Sequence, residues 1–278
     1  MKKFFTCLLI AYALGSSAQT VPFRLTTDGH ILVSAKIEGK DGTFIFDTGA
    51  GINLFFEDFA SHMRQKSTYN FLTAFRATGE RIDAPMFRTD AVVFAQTTFK
   101  NVPYSTFNMK VEGINGLISL QMFRERDVII DYERKELTLT AIDPAKSRKS
   151  VDIQVSTFAD DGLDIFTYVM LDNTHRIKVL LDSGAGQNSF WLHSKFMDLL
   201  GVDKNSFQVS EKKSEFNEKK LSRNYKGKIR AISNQFSRVD APTVNFVDGL
   251  IYEGKTSINW LGSKIGISLK NKKLYVLD

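Results

Sequence analysis

An apolar strand that runs straight into Asp-[Thr/Ser]-Gly occurs twice in this chain. The repetition constrains the fold more than any other feature of the sequence. Phe44-Ile45-Phe46 leads into Asp47-Thr48-Gly49-Ala50-Gly51, and Val179-Leu180-Leu181 leads into Asp182-Ser183-Gly184-Ala185-Gly186. Over the nine residues from each Asp, six are identical: Asp, Gly, Ala, Gly, Asn and Phe. The two Asp lie 135 residues apart, and Val102/Val239, Thr106/Thr243, Asn108/Asn245 and Val128/Ile265 each recur at 137. Gly116-Leu117-Ile118 is read as recurring at Gly249-Leu250-Ile251, at 133. A spacing that drifts so little over the chain points to a duplication rather than to two stray tripeptides. The segment from Phe207 to Arg223 does not align between the halves.

A duplication asks for two cores, and 278 residues suffice for two small domains. Abundant Phe (23) and scarce Pro (5) favour packed β-structure, so the expected class is all-β with few short helices. Val21–Leu25 reads as a short edge strand that tolerates Pro22. Ile31–Ile37 and Thr43–Phe46 read as a hairpin, and Glu57–Lys66 as a short helix. Two or three strands follow between Tyr69 and Met109, with a turn at Ala77-Thr78-Gly79-Glu80. Hairpins are expected around Glu133-Arg134-Lys135, Asp172-Asn173 and Lys270–Lys273, with a short helix at Phe196–Leu200 capped by Gly201. Polar Asp143–Ser150, carrying Pro144, marks the boundary. The expected organisation is 1–18 as a signal peptide, 19–145 as the first lobe and 146–278 as the second.

The leader follows from Met1-Lys2-Lys3, a short apolar run from Phe4 to Leu14, and small residues Ser16-Ser17-Ala18. Cleavage is expected after Ala18, and strand-forming sequence begins so soon afterwards that no inhibitory prosegment fits. Cys7 is the only cysteine and lies in the leader, so the mature chain holds no disulfide, thiolate metal site or cysteine nucleophile. Export without disulfides fits a bacterial periplasmic or secreted protein. No second stretch is apolar enough to span a membrane. The precursor carries +6, and loss of Lys2 and Lys3 leaves 35 basic against 31 acidic residues, or +4. Much of the basic character lies in Glu211–Arg230, where interspersed acids indicate a solvated face. No nucleic-acid motif is present. His30, His62, His175 and His193 lack ligand spacing, and there is no Walker loop, GxGxxG or G-x-S-x-G elbow. No metal or cofactor is expected.

Two similar lobes packed about a pseudo-twofold axis would bring Asp47 and Asp182 face to face. Two carboxylates that close cannot both ionise, so they share a proton. The ionised member can then take a proton from water while the protonated one polarises a carbonyl. Thr48 and Ser183 place hydroxyls where they can bond across the interface. Gly49 and Gly184 let the backbone approach the carboxyls. Taken singly, each motif also fits a structural turn.

On Asp47-Thr48-Gly49-Ala50, Asp182-Ser183-Gly184-Ala185, Asn115–Ile118 and Asp248–Ile251, the chain resembles the retropepsin-like aspartic proteases, duplicated within one polypeptide as in the pepsin-type bilobal enzymes. The resemblance covers nearly the whole mature chain. It implies a monomeric, intramolecular pseudo-dimer that hydrolyses a peptide or protein substrate as an endopeptidase, with Asp47 and Asp182 catalytic. It also implies a flap, for which Phe75–Glu80, with Thr78 and Gly79, is the candidate. The lysine-rich segment at the equivalent place implies one working flap or two dissimilar ones. Terminal strands Val21–Leu25 and Leu274–Asp278 are expected to pair beneath the lobes. Ser119 and Tyr252 depart from the family by standing where a second glycine is usual, and about four extra residues are expected after Tyr252. Ala50 and Ala185 cannot donate a hydroxyl hydrogen bond to the carboxyls, so activity is expected at mildly acidic to near-neutral pH. The alternatives are a catalytically inactive peptide-binding module on the same fold, or two domains that each pair with another chain.

Overall fold

Alternating burial shows how these residues make strands. Ile31, Val33, Ala35 and Ile37 are buried along one face of Ile31–Ile37, while Ser34 and Lys36 face outward. The computed structural model describes residues 19–147, 149–158, 162–213 and 221–277. They form an all-β protein in which the α-helices among the described residues are two single turns, Glu57–Ala60 and Phe196–Leu199. The expected leader lies outside the described residues, as does the tip, 214–220, of the lysine-rich hairpin Gln208–Lys213/Leu221–Lys228.

The lobes are joined by one ladder. Val128–Asp131 pairs antiparallel with Lys264–Ser268, in the register Val128↔Ile267, Ile129↔Gly266 and Ile130↔Ile265. The repeat spacing of 137 carries Val128 onto Ile265 and Ile130 onto Ile267, so the register maps onto itself. The pseudo-twofold axis therefore passes through the Ile129–Gly266 pair. On one side follow Glu136–Leu139 and Gln19–Pro22; on the other, Lys273–Val276 and Lys149–Asp152. The terminal strands thus share a sheet but do not pair with each other, contrary to expectation. Gln19–Pro22 ends the first lobe's block of three strands, whereas Lys273–Val276 is the middle strand of the second lobe's block and Lys149–Asp152 ends it.

Nor is Val21–Leu25 an edge strand. Gln19–Pro22 pairs with Leu139–Glu136, and Phe23–Leu25 pairs with Val33–Ile31. Pro22, with no N–H to donate, ends the first pairing where the strand changes partner. The helix expected over Glu57–Lys66 stops at Ala60. Met63 is buried behind it, and Lys66 already pairs with Arg88 as the first residue of Lys66–Phe75.

Inside each lobe one strand crosses between two others. Gly116–Ser119 runs parallel to Lys40–Asp47 and antiparallel to Asn53–Phe56, which itself runs parallel to Thr97–Phe107. Gly254–Thr256 does the same between His175–Leu181 and Phe190–His193, the latter parallel to Thr243–Val247. This geometry overturns part of the sequence alignment. Leu117 pairs with Ile45 as Lys255 pairs with Leu180, so Gly116-Leu117-Ile118-Ser119 corresponds to Gly254-Lys255-Thr256-Ser257, at a spacing of 138. The counterpart of Ser119 is Ser257, not Tyr252, and no four-residue insertion follows Tyr252.

Aromatic rings pack against one another through the first lobe's core. Phe44, Phe55, Phe59 and Tyr104 form a chain of ring contacts with centroids 4.9–6.2 Å apart. Phe123 packs against Phe46, Phe94 and Phe99. Each such pair adds about 0.5–1.5 kcal/mol beyond the area it buries. They surround the strand that ends in Asp47.

Candidate active site

Asp47 is the last residue of its strand, held from one side by the parallel ladder Ile45↔Leu117, Phe46↔Ile118, Asp47↔Ser119. The run Val179-Leu180-Leu181 is buried throughout and delivers Asp182 in the same way. Both carboxyls therefore leave the ends of central strands, where the backbone has little freedom.

Four hydrogen bonds then lock the two loops together. Thr48 Oγ1 donates to the Leu181 carbonyl at 2.8 Å and accepts the Ser183 N–H at 3.0 Å. Ser183 Oγ donates to the Phe46 carbonyl at 2.8 Å and accepts the Thr48 N–H at 3.0 Å. Thr48 and Ser183 are buried, and each of these groups finds a partner in the other lobe.

The glycines let each carboxyl reach across. A Cβ on Gly184 would lie 2.2 Å from Asp47 Cγ, and one on Gly49 would lie 2.5 Å from Asp182 Cγ. Each acid thus packs over the glycine of the opposite motif. Gly184→Ala is expected to push Asp47 off its position and to reduce any dyad-dependent turnover by 10²-fold or more, of the order that a misplaced catalytic group costs. Steady-state kinetics beside a circular dichroism melt would separate this from unfolding.

The two acids are not electrostatically alike. Asp47 Oδ1 accepts the Gly49 and Ala50 N–H groups at 2.8 and 3.0 Å. Burial and then the Asp182 charge nevertheless push the Asp47 carboxyl well above its usual range. Burial also opposes ionisation of Asp182, but the Lys255 ammonium, 2.8 Å from Asp182 Oδ2, outweighs it and holds this carboxyl below its usual range. Asp182 Oδ1 is buried, and a hydrogen bond between the two carboxyls adds to the rise of Asp47 and the lowering of Asp182. A third acid, Asp164, is raised to about 6 by burial and by Asp182. Tyr252 is raised to about 12 by burial and by the Asp164 and Asp182 charges.

Over the pair lies a cleft of about 480 Å³ lined by Asp47, Asp182, Thr78, Trp191, Tyr252 and Lys255, among others. Thr78 and Gly79 sit in the turn between Lys66–Phe75 and Arg81–Phe94, closed by Arg76 N–H to Glu80 O and Gly79 N–H to Arg76 O, both 2.8 Å. Gly79 has φ +73°, as this turn requires, and only Thr78 of the two lines the cleft. The turn also meets the second lobe, where Ile251 donates its N–H to the Ala77 carbonyl at 2.8 Å. Among the described residues no cluster of three or more His, Cys, Asp or Glu could hold a metal, and no helix is long and apolar enough to cross a membrane.

Comparison with known proteins agrees with this geometry. A family model described as aspartyl protease matches residues 33–122, most of the first lobe. No curated protein sequence matches. Among solved structures, an aspartic proteinase from Irpex lacteus superposes with a TM-score of 0.55 at 11% identity, covering 93% of this chain and 96% of its own. The chain has the aspartic proteinase fold. A second structure, of edgp, superposes with a TM-score of 0.53 at 6% identity over 93% of this chain and 94% of that one. Both lobes thus take part in the aspartic proteinase fold.

Sequence reasoning missed Lys255, Trp191 and Asp164, and misplaced Tyr252. The signal for Lys255 was present: Gly-x-x-Ser recurs at 116–119 and 254–257, at a spacing of 138, one residue from the 137 of Val128/Ile265. Two apparent identities are also not equivalences. The loop from Asp182 to the next strand is two residues longer than that from Asp47, so Leu192 rather than Phe190 stands where Phe55 does. Asn53 is buried and bonds Ser119 N–H and the Pro103 carbonyl, whereas Asn188 is exposed at φ +49° and bonds Asn259.

Proposed function

We propose that this protein is an exported aspartic endopeptidase in which Asp47 and Asp182 activate water against a peptide carbonyl. The observation that carries the reading is the reciprocal packing of each carboxyl over the other lobe's glycine, with the two acids driven to opposite protonation states. Ionised Asp182 accepts a proton from water. Protonated Asp47 gives its proton to the carbonyl oxygen as the water oxygen bonds to carbon. Collapse of the tetrahedral species breaks the C–N bond, and the amine leaves with a proton from the dyad. The reaction needs no covalent enzyme intermediate.

An extended peptide fits the cleft beneath Ala77 and Thr78, pairing its backbone as a strand would. A second pocket, of about 680 Å³, shares Gly49, Ala50, Phe75, Leu117 and Tyr252 with the cleft and is faced by Leu72, Ile82, Pro85 and Phe107. It suits an apolar side chain. The leader from Met1 to Ala18 supports an exported location, and the two-lobed chain supports action as a monomer.

A binding module without turnover is the second reading. The observation that favours it is the Lys255 ammonium, which occupies one oxygen of Asp182. Incubating the protein with a peptide library and reading new termini by mass spectrometry separates the two. Cleavage by the parent that is lost in Asp47→Asn and Asp182→Asn supports the protease. Retention of intact peptides without cleavage supports the module.

A further inference from the structure

In the first lobe the strand that crosses beside Asp47 carries Leu117. In the second lobe the equivalent position, beside Asp182, carries Lys255. A charge has replaced an aliphatic side chain at one of two pseudo-symmetric positions in the middle of the site.

Lys255 is not a surface lysine whose head has folded back. Its side chain is 15% exposed and Asp182 is 8% exposed, with Nζ 2.8 Å from Asp182 Oδ2. The ammonium also stands over the Trp191 ring, 4.6 Å from its centroid, a cation–π contact that helps to hold it in place. The strand bearing it is clamped on both edges, by Leu180 and by Trp191, so the head group cannot drift far.

We propose that Lys255 is a positioning residue for hydrolysis: its ammonium breaks the symmetry of the dyad, makes Asp182 the ionised member and Asp47 the protonated one, and so fixes which acid serves as base. The inference rests on the proteolytic reading. The groups facing Asp182 bear it out. Asp47 comes from the opposite loop, Asp164 from the neighbouring strand Gly162–Leu171, and Tyr252 from the loop before Lys255. Two of these are acids and Tyr252 is neutral near pH 7, so Lys255 is the cation in contact with Asp182. Arg76 and Lys213 line the same cleft. Without Lys255, burial would act to protonate Asp182, opposed by the hydrogen bonds from Asp47 and the Gly184 N–H. An opposite charge in contact lowers a carboxyl by about 1–3 pH units, which sets the size of the effect.

The test uses Lys255→Met, Lys255→Leu (the residue of the first lobe) and Lys255→Arg in the full chain. The acid limb of the kcat/KM–pH profile is expected to rise by about 1–3 pH units in the Met and Leu variants and to return towards the parent value in the Arg variant. KM for a peptide at the parent's optimum changes less than kcat does. A carboxyl-carbon NMR titration of Asp182, assigned with Asp182→Asn, reads the same shift without turnover and also reports whether each variant is folded. An acid limb and an Asp182 titration that do not move when the ammonium is removed would overturn the inference. If the parent cleaves no peptide yet the Asp182 titration moves, the proteolytic reading falls and with it the assignment of a base, leaving only the ion pair.

Discussion

Asp47→Asn is expected to lower kcat for peptide cleavage by at least about 10²- to 10⁴-fold, the contribution of a positioned general acid or base. It should do so without harming the fold. The asparagine carbonyl can still accept the Gly49 and Ala50 N–H groups, and the substitution removes an acid that burial already disfavours in its charged form. Asp182→Asn should be as damaging to turnover and, in addition, destabilising. It leaves the Lys255 ammonium without its carboxylate in a largely buried place. Breaking a buried pair from one side costs roughly 3–5 kcal/mol, and the residual exposure of Lys255 puts the cost here near the lower end. Kinetics paired with urea unfolding reads both quantities. Equal stability losses in the two variants would contradict the asymmetric electrostatics, and full activity in either would contradict the dyad.

The interlobe hydroxyls carry the second large effect. Thr48→Ala is expected to destabilise the protein by about 2–5 kcal/mol, because it strands the Ser183 N–H and the Leu181 carbonyl in a buried interface, at roughly 1–3 kcal/mol each. Ser183→Ala does the same to the Thr48 N–H and the Phe46 carbonyl. Thr48→Ser keeps the oxygen and should lie within about 1 kcal/mol of the parent. Turnover is expected to fall in the Ala variants even where they remain folded, since the spacing of Asp47 and Asp182 is set through these bonds. Denaturant midpoints and kcat for the three variants test this. An Ala variant as stable as the parent would show that other interlobe contacts, the ladder at Ile129–Gly266 among them, set the lobes.

The parts of this molecule that could be read from the sequence are those where chemistry demands a particular letter. Asp47-Thr48-Gly49 and Asp182-Ser183-Gly184 admit few substitutes, because a carboxyl, a hydroxyl and a missing Cβ each have a contact to make across the interface. The hairpins around Glu133 and Lys270 were legible because short apolar strands flank a polar, charged turn in each. What escaped lay where packing tolerates many residues. Gly249-Leu250-Ile251 matches Gly116-Leu117-Ile118 letter for letter, yet it lies in a loop whose Ile251 N–H bonds the Ala77 carbonyl. The strand that does the work, Gly254-Lys255-Thr256, shares only its glycine. Matching apolar letters concealed the position at which the lobes differ most, and with it the cation in the site. Two extra residues after Asp182 likewise turned Asn188 and Phe190 into false partners of Asn53 and Phe55. Pro22 looked like an edge marker because local sequence cannot show that one strand serves two partners in turn.

The pH dependence of kcat/KM for a cleaved peptide tests the central claim most directly. The single-proton form of the dyad is populated above the titration of Asp182, which lies below the ordinary carboxylate range, and below that of Asp47, which lies well above it. The expected result is a bell with a broad top through mildly acidic and near-neutral pH, lost in Asp47→Asn. A profile that peaks below about pH 3, or cleavage whose pH dependence survives Asp47→Asn unchanged, would contradict a water activated between these two acids.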